Sequence, residues 1–189
     1  MKSIWTILAI ALPNALFAYG PSVHAQDKNT AERIIIRQPI PSVKNIHHVS
    51  AQKTPSGFDV PRYVSLKFTK VNGRMGPSRN HSIKWQYRRK GLPVIIVAET
   101  DMWRKVRDYK GDESWVYRAG LTGRRHLITI RETVIHKKPS QSSRKIAVTD
   151  EETLLMLESC NETWCRITSS SEYKGWVKKA DVWGAETLN

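Results

Sequence analysis

Trp103-Arg104-Lys105-Val106, followed by Trp115-Val116 and by Ala119, Leu121 and Gly123, recurs 61 positions downstream as Trp164-Cys165-Arg166-Ile167, Trp176-Val177, Ala180, Val182 and Gly184. Upstream, Val94 and Ile96 match Leu155 and Leu157, and Pro77-Ser78 matches Pro139-Ser140 at an offset of 62, so a loop of the first copy carries one extra residue. A match held in register over such a length makes each copy one structural module. The chain reads as a tandem.

Before the repeats, Lys2, the apolar run Ile4 to Leu12, and the small-residue sites ending at Ala18 and Ala25 have the order of a secretory signal peptide. The apolar run is too short to span a bilayer as a helix. Residues 1–25 are therefore expected to be removed, leaving an exported, periplasmic or secreted chain. Residues 26–61 hold Pro39, Pro41, Pro55 and Pro61 among polar residues, with Ile34-Ile35-Ile36 as the one compact apolar run. Such composition predicts an extended or disordered linker, because it buries too little to offset ordering entropy. The adjacent His47-His48 has no further ligands beside it and is expected to be solvated and metal-free.

Two modules follow, residues 62–125 and 126–189. The first carries 16 Lys plus Arg against 5 Asp plus Glu, the second 9 of each, so +11 of the net charge of +14 belongs to the first and the rest to residues 1–61. A field of that size favours anionic partners and says nothing about fold. The only cysteines, Cys160 and Cys165, flank a tight turn between two apolar runs. In an oxidising compartment a bridge is expected there, worth about 2 kcal/mol for so short a loop. Two free buried thiols are the alternative, and two ligands without a second pair make a poor zinc site.

Short β-branched and aromatic runs alternate with turn formers throughout: Arg62 to Thr69, Lys84 to Tyr87, Leu92 to Glu99, Trp103 to Arg107 and Ser114 to Tyr117, then Thr153 to Ser159, Trp164 to Thr168 and Gly175 to Lys179. The pattern predicts an all-β chain of two small barrels or sandwiches. About 60 residues is marginal for one core, so the modules are expected to pack together or rely on the disulfide.

The runs Val71-Asn72-Gly73-Arg74-Met75-Gly76-Pro77-Ser78, Trp85-Gln86-Tyr87-Arg88-Arg89-Lys90-Gly91-Leu92-Pro93-Val94, Trp103 to Asp108 and Leu121-Thr122-Gly123-Arg124-Arg125 resemble the bacterial SH3 domain family, in particular the tandem exported SH3-domain proteins of alphaproteobacteria. The resemblance covers about residues 62–186. It implies an SH3-like barrel of five strands in each copy, used for binding rather than catalysis, with peptidoglycan or its peptides as the usual target of relatives. Two departures stand out. Ser114 replaces a glycine retained at Gly175, and Lys137-Lys138-Pro139 replaces the fuller Asn-x-Arg-x-Gly-Pro run, suggesting that the second copy has drifted from ligand contact.

Residue by residue, no Gly-x-Ser-x-Gly elbow, His-Glu-x-x-His pair or phosphate-binding loop occurs. The chain is expected to be no enzyme and to need no cofactor. Trp85 and Tyr87 alternate on one strand face, Arg88, Arg89 and Lys90 follow in the turn, and Trp103 with Arg104 and Lys105 is the candidate opposite wall of a groove. Trp85 and Trp103 fit core and groove equally. Trp115 and Trp176, each before a valine, read as core. The expected partner is an anionic envelope polymer or peptide. Another envelope protein or an anionic membrane surface is the alternative, and export argues against nucleic acid.

Overall fold

The computed structural model describes residues 46–170 and 172–186. The leader, residues 1–25, and linker residues 26–45 with Ile34-Ile35-Ile36 lie outside the described residues. Strands β1 (Arg62–Leu66), β2 (Val71–Arg74), β3 (Ile83–Tyr87), β4 (Pro93–Glu99), β5 (Trp103–Arg107), β6 (Glu113–Tyr117) and β7 (Leu121–Thr122) form one antiparallel sheet in the order β3-β2-β6-β5-β4-β1-β7. Strands β8 (His126–Thr129), β9 (Thr133–His136), β10 (Lys145–Thr149), β11 (Leu154–Cys160), β12 (Trp164–Ser169), β13 (Lys174–Lys178) and β14 (Val182–Trp183) form the other, in the order β10-β9-β13-β12-β11-β8-β14. Adding seven to each label turns one order into the other, so the sequence repeat is a repeat of topology. A 3-10 turn precedes the last strand of each sheet, at Arg118–Gly120 and Lys179–Asp181. The chain is all-β with two tandem SH3-like barrels, each divided into more strand segments than the five implied by resemblance.

The extra residue of the first copy falls in the β3–β4 turn, since Tyr87 matches Thr149 at 62 while Val94 matches Leu155 at 61. Backbone demands outlast the side chains that first met them. Gly91 and Gly111 adopt φ of 82° and 91°, and their counterparts Glu152 and Glu172 keep left-handed φ of 62° and 63° despite carrying a Cβ.

Alternation decides which side chains reach the core. Val106, Val116, Ile167 and Val177 are fully enclosed. The neighbouring Trp115 and Trp176 point the other way and are only half-buried, so the core assignment of these two indoles is corrected. With period two, the valine beside each indole takes the inward place. Ser114 is likewise explained: it lies within a strand, close against Gly73, whereas in the second barrel Ile135 lies against Gly175. The missing side chain has moved from β6 to its neighbour β2, and no turn is disturbed.

Cross-strand partners Glu99 and Arg104 in β4–β5 occupy the places of Cys160 and Cys165 in β11–β12. The cysteines form the expected disulfide. In the first barrel a buried ion pair, Arg104 Nε to Glu99 Oε2 at 3.0 Å, holds the same corner. Glu99 also accepts from Ser56 N and Oγ at 3.0 and 2.5 Å and from Arg62 Nη2 at 2.6 Å. Burial raises the Glu99 pKa, but those donors outweigh it and hold the carboxyl below its ordinary value.

Through Ser56, that carboxylate fastens residues 46–61 to the first barrel. Val49 and Val60 bridge each other, and Val60 is buried in the core. The expectation of an extended or disordered linker therefore does not hold over 46–61, which folds into a 3-10 turn at Ala51–Lys53 and further turns to residue 58; a buried carboxylate supplies the anchor that composition does not reveal. His47 and His48 lie exposed at its start.

The barrels share a core. Ile128 and Trp183 of the second pack among Tyr63, Val64, Leu66 and Ile95 of the first. Tyr63 meets Trp183 edge-on at 5.0 Å, and its hydroxyl donates to Glu186 Oε2 at 2.8 Å. Burial, reinforced by Glu186, pushes the Tyr63 pKa up. Arg125 lies 5.6 Å from the Tyr63 ring centroid and donates to Gly184 O. Nearby, His126 N donates to Ser65 Oγ at 3.1 Å, joining the first strands of the two barrels.

If the two stapling pairs are interchangeable, the double substitution Glu99→Cys with Arg104→Cys is expected to close a second disulfide under oxidising conditions. Mass spectrometry of the unreduced protein checks this as a further two-hydrogen deficit; thiols that alkylate freely contradict it. Glu99→Gln alone is expected to cost about 3 kcal/mol in urea unfolding, because it strands Arg104 without its buried partner.

Candidate functional site

Three elements of the first barrel meet around an open cleft of about 280 Å³: the β1–β2 loop with Phe68 and Lys70, the outward side of β2, β5 and β6, and the β2–β3 hairpin with Arg79. Trp103 and Tyr117 are cross-strand partners and form its aromatic floor, their rings edge-on at 5.4 Å. Arg79 lies over the Tyr117 ring, 5.7 Å from its centroid. Phe68 is half exposed at the rim, and Asn72, Arg74 and Lys70 complete the wall with Ala119 and Gly120. No acidic side chain lines the cleft, while three cations do.

The hairpin that carries Arg79 is held locally. Arg74 Nη1 donates to His81 O at 2.6 Å, Asn80 N donates to Ser78 Oγ at 3.1 Å, and Met75 N donates to Ser82 O at 3.1 Å. Gly76 allows the close approach of the His81 ring, which any Cβ there would strike. The Asn72-Gly73-Arg74 and Gly76-Pro77-Ser78 run thus builds the wall and sets the hairpin.

Of the residues expected in a groove, only Trp103 lines this cleft. Trp85 and Tyr87 do share a face, but it is the inward one. Tyr87 is buried with its hydroxyl 3.2 Å from Ser114 Oγ, and burial pushes its pKa up to about 12. Trp85 is half-buried, its Nε1 enclosed and its ring covered by Lys84 Nζ at 4.5 Å. Arg104 is buried because alternation places it opposite Val116 on the inward side, where Glu99 neutralises it. Lys105 is spent on Glu113 at 2.7 Å. Arg88 and Lys90 are exposed in the β3–β4 turn, and Arg89 donates to Glu152 O of the second barrel. Glu152 also accepts from Tyr109 Oη at 2.6 Å and pairs with Lys110 at 3.3 Å. The basic turn therefore borders the junction between barrels, away from the aromatic cleft.

Phe68, Lys70, Arg74, Arg79 and Tyr117 were not singled out by sequence. A signal for Tyr117 existed: it stands two residues beyond Trp115, on the same strand face, and its counterpart is Lys178. In the second barrel the equivalent surface is engaged with itself. His136 replaces Arg74 and packs edge-on against Trp164 at 5.3 Å, Lys178 donates to Gln141 Oε1 at 3.2 Å, and Arg131 pairs with Asp181 at 3.5 Å. Among the described residues no cluster of His, Cys, Asp or Glu could hold a metal ion.

The bacterial SH3 domain family model matches residues 67–123 and 131–184. Together these spans cover more than half of the chain, and the protein belongs to that family. A comparison with curated proteins found no match. Solved structures with similarity include NlpC2 from Trichomonas vaginalis, at 15% identity and a TM-score of 0.31, covering 65% of this chain and 48% of that one. NlpC1 from the same organism aligns at 14% identity and a TM-score of 0.30, covering 76% and 50%. An NlpC/P60 family protein from Bacillus cereus aligns at 13% identity and a TM-score of 0.30, covering 64% and 55%. The chain spans about half the length of these structures.

The two classes of arginine separate in a stability measurement. Arg79→Ala removes an exposed cation over a ring and is expected to change unfolding free energy by under about 1 kcal/mol. Arg104→Ala takes from buried Glu99 one of its two arginine partners, leaving Arg62, and is expected to cost about 2 kcal/mol or more. Urea midpoints of the two variants check this; equal losses contradict the assignment.

Proposed function

We propose that this protein is a non-catalytic binding module of the cell envelope, in which the first barrel grips an anionic chain, peptidoglycan or its peptides, in the Trp103–Tyr117 cleft. The observation that carries the proposal is an aromatic floor ringed by Lys70, Arg74 and Arg79 with no carboxylate among the lining residues. Aromatic faces stack on sugar or peptide planes, and guanidinium groups take carboxylates by paired hydrogen bonds. The excess of 16 basic over 5 acidic residues across 62–125 adds attraction at a distance. The second barrel, electrically balanced and closed by its own contacts at the matching surface, serves as a brace. The intramolecular disulfide supports a location outside the cytoplasm, and no described helix is long and apolar enough to cross a membrane.

Co-sedimentation with purified sacculi tests this. Arg79→Glu and Tyr117→Lys, the latter installing the residue of the second barrel, are each expected to weaken pelleting about tenfold, equivalent to ~1.4 kcal/mol. A variant with Arg88→Glu and Lys90→Glu is expected to pellet nearly as well as the parent. Binding should persist in part at molar salt, since the aromatic contacts are not screened. Equal pelleting of all variants, or complete loss of parental binding in salt, sinks the cleft as the recognition site.

A further inference from the structure

A second cleft, of about 420 Å³, opens on the first barrel where residues 46–61 fold back against it. Phe58 of that segment forms one wall, and Tyr63, Val64 and Ile96 of β1 and β4 with Leu121 of β7 form an apolar bed. Three arginines border it. Arg62 and Arg104 share the buried Glu99 beneath, at 2.6 and 3.0 Å, and Arg118 stands exposed on the rim. With Asp101 close enough to act on Arg104, three guanidinium groups stand against two carboxylates and leave an excess of one positive charge at one end of an apolar trough.

We propose that this second cleft binds a small amphipathic anion, its carboxylate or phosphate head held by Arg118 beside the positive charge of Arg62 and its apolar body laid between Phe58 and Leu121. The Arg62 Nη groups are already given to Phe58 O, Asp59 O, Ser56 Oγ and Glu99. The size falls within the range of small-ligand sites, roughly 300–1,000 Å³, and the arrangement of an apolar bed with a few convergent polar groups is typical of them. The crowded cations supply the demand for an anion. Burial lowers the Arg104 pKa, Glu99 restores part of it, and the charges of Arg62 and Arg118 lower it again, with Asp101 opposing them in part. An entering anion relieves that repulsion. The site belongs to the first barrel alone, because Arg104 and Arg118 become Cys165 and Lys179 in the second, and the register counterpart of Arg62, Arg125, is turned to the carbonyls of Gly184 and Glu186. It also depends on the docked segment, since Ser56 and Phe58 are part of the lining. It is separate from the Trp103–Tyr117 cleft, with which it shares no lining residue.

Dodecanoate, dodecyl phosphate and dodecyltrimethylammonium, each below its micelle concentration, serve as probes of one tail with three heads. Titrated against the folded protein and followed by amide NMR shifts, at least one of the two anions is expected to saturate a single site, with the largest shifts at Phe58, Leu121, Thr122 and Gly123. Whichever anion binds more tightly identifies the head. Arg118→Glu is expected to weaken that binding at least tenfold, and Phe58→Ala severalfold. Both positions are exposed, so the variants are expected to fold, and an unchanged parental spectrum elsewhere confirms it. The cationic probe is expected not to bind. Binding of the cation as strong as that of the anions, indifference to Arg118→Glu, shifts centred on Trp103 and Tyr117, or no saturable binding by either anion would each overturn the proposal. Sacculus pelleting by Arg118→Glu, expected to match the parent, keeps failure of this site distinct from failure of the first.

Discussion

Tyr63 of the first barrel, sealed edge-on against Trp183 of the second, is the contact on which the rest of the molecule depends. A barrel of about 60 residues buries a marginal fraction of its surface alone. Here the last strand of the second barrel lends its indole to the core of the first, and Ile128 joins it. Around this apolar seal, Tyr63 Oη donates to Glu186 and Arg125 Nη2 donates to the carbonyls of Gly184 and Glu186, while Arg125 Nε is buried without a hydrogen-bond partner among the described residues. The Glu152 clasp adds a polar contact at a second point. One consequence is that the first barrel can spend side chains on binding surfaces, because part of its stability is supplied from outside.

Duplicated barrels show how one structural need is met by different chemistry. The corner between β4 and β5 is held by Glu99 and Arg104, and the same corner between β11 and β12 by a disulfide. These solutions are not equivalent in what they permit. The disulfide is finished chemistry, whereas the carboxylate has further acceptor sites, and through them it holds Ser56 and Arg62. An extra segment docks only where the ion pair is, and with it comes the second cleft. Divergence at a single cross-strand pair thus separates a barrel with accessory surface from one without.

Fold was legible in the sequence because the repeat is periodic and the core obeys it. The tandem, the all-β class, the longer strand segments and the cysteine bridge all follow from spacing and residue type. The site was less legible, for a physical reason. Alternation says that Trp85 and Tyr87 share a face, but not which face the curl of the sheet turns inward. For the same reason Trp115 and Trp176, paired with valines, were assigned to the wrong side. Arg104 looks like a surface cation until its partner Glu99, five residues away across a hairpin, is seen. Phe68, Arg79 and Tyr117 are far apart in sequence and meet only once the β1–β2 loop and the β2–β3 hairpin fold over strand β6. The informative clue was asymmetry between copies: Tyr117 against Lys178 and Arg79 against Gln141 mark where one barrel keeps an aromatic, cationic surface and the other does not.

The shared core is tested most directly by equilibrium unfolding of the protein and of Trp183→Ala, followed residue by residue with hydrogen exchange. A single cooperative transition is predicted for the parent, with Trp183→Ala lowering protection at Val64, Leu66 and Ile95 in the first barrel as well as at Ile128 in the second. Two separate transitions, with the first barrel unmoved by loss of the indole, would contradict the account.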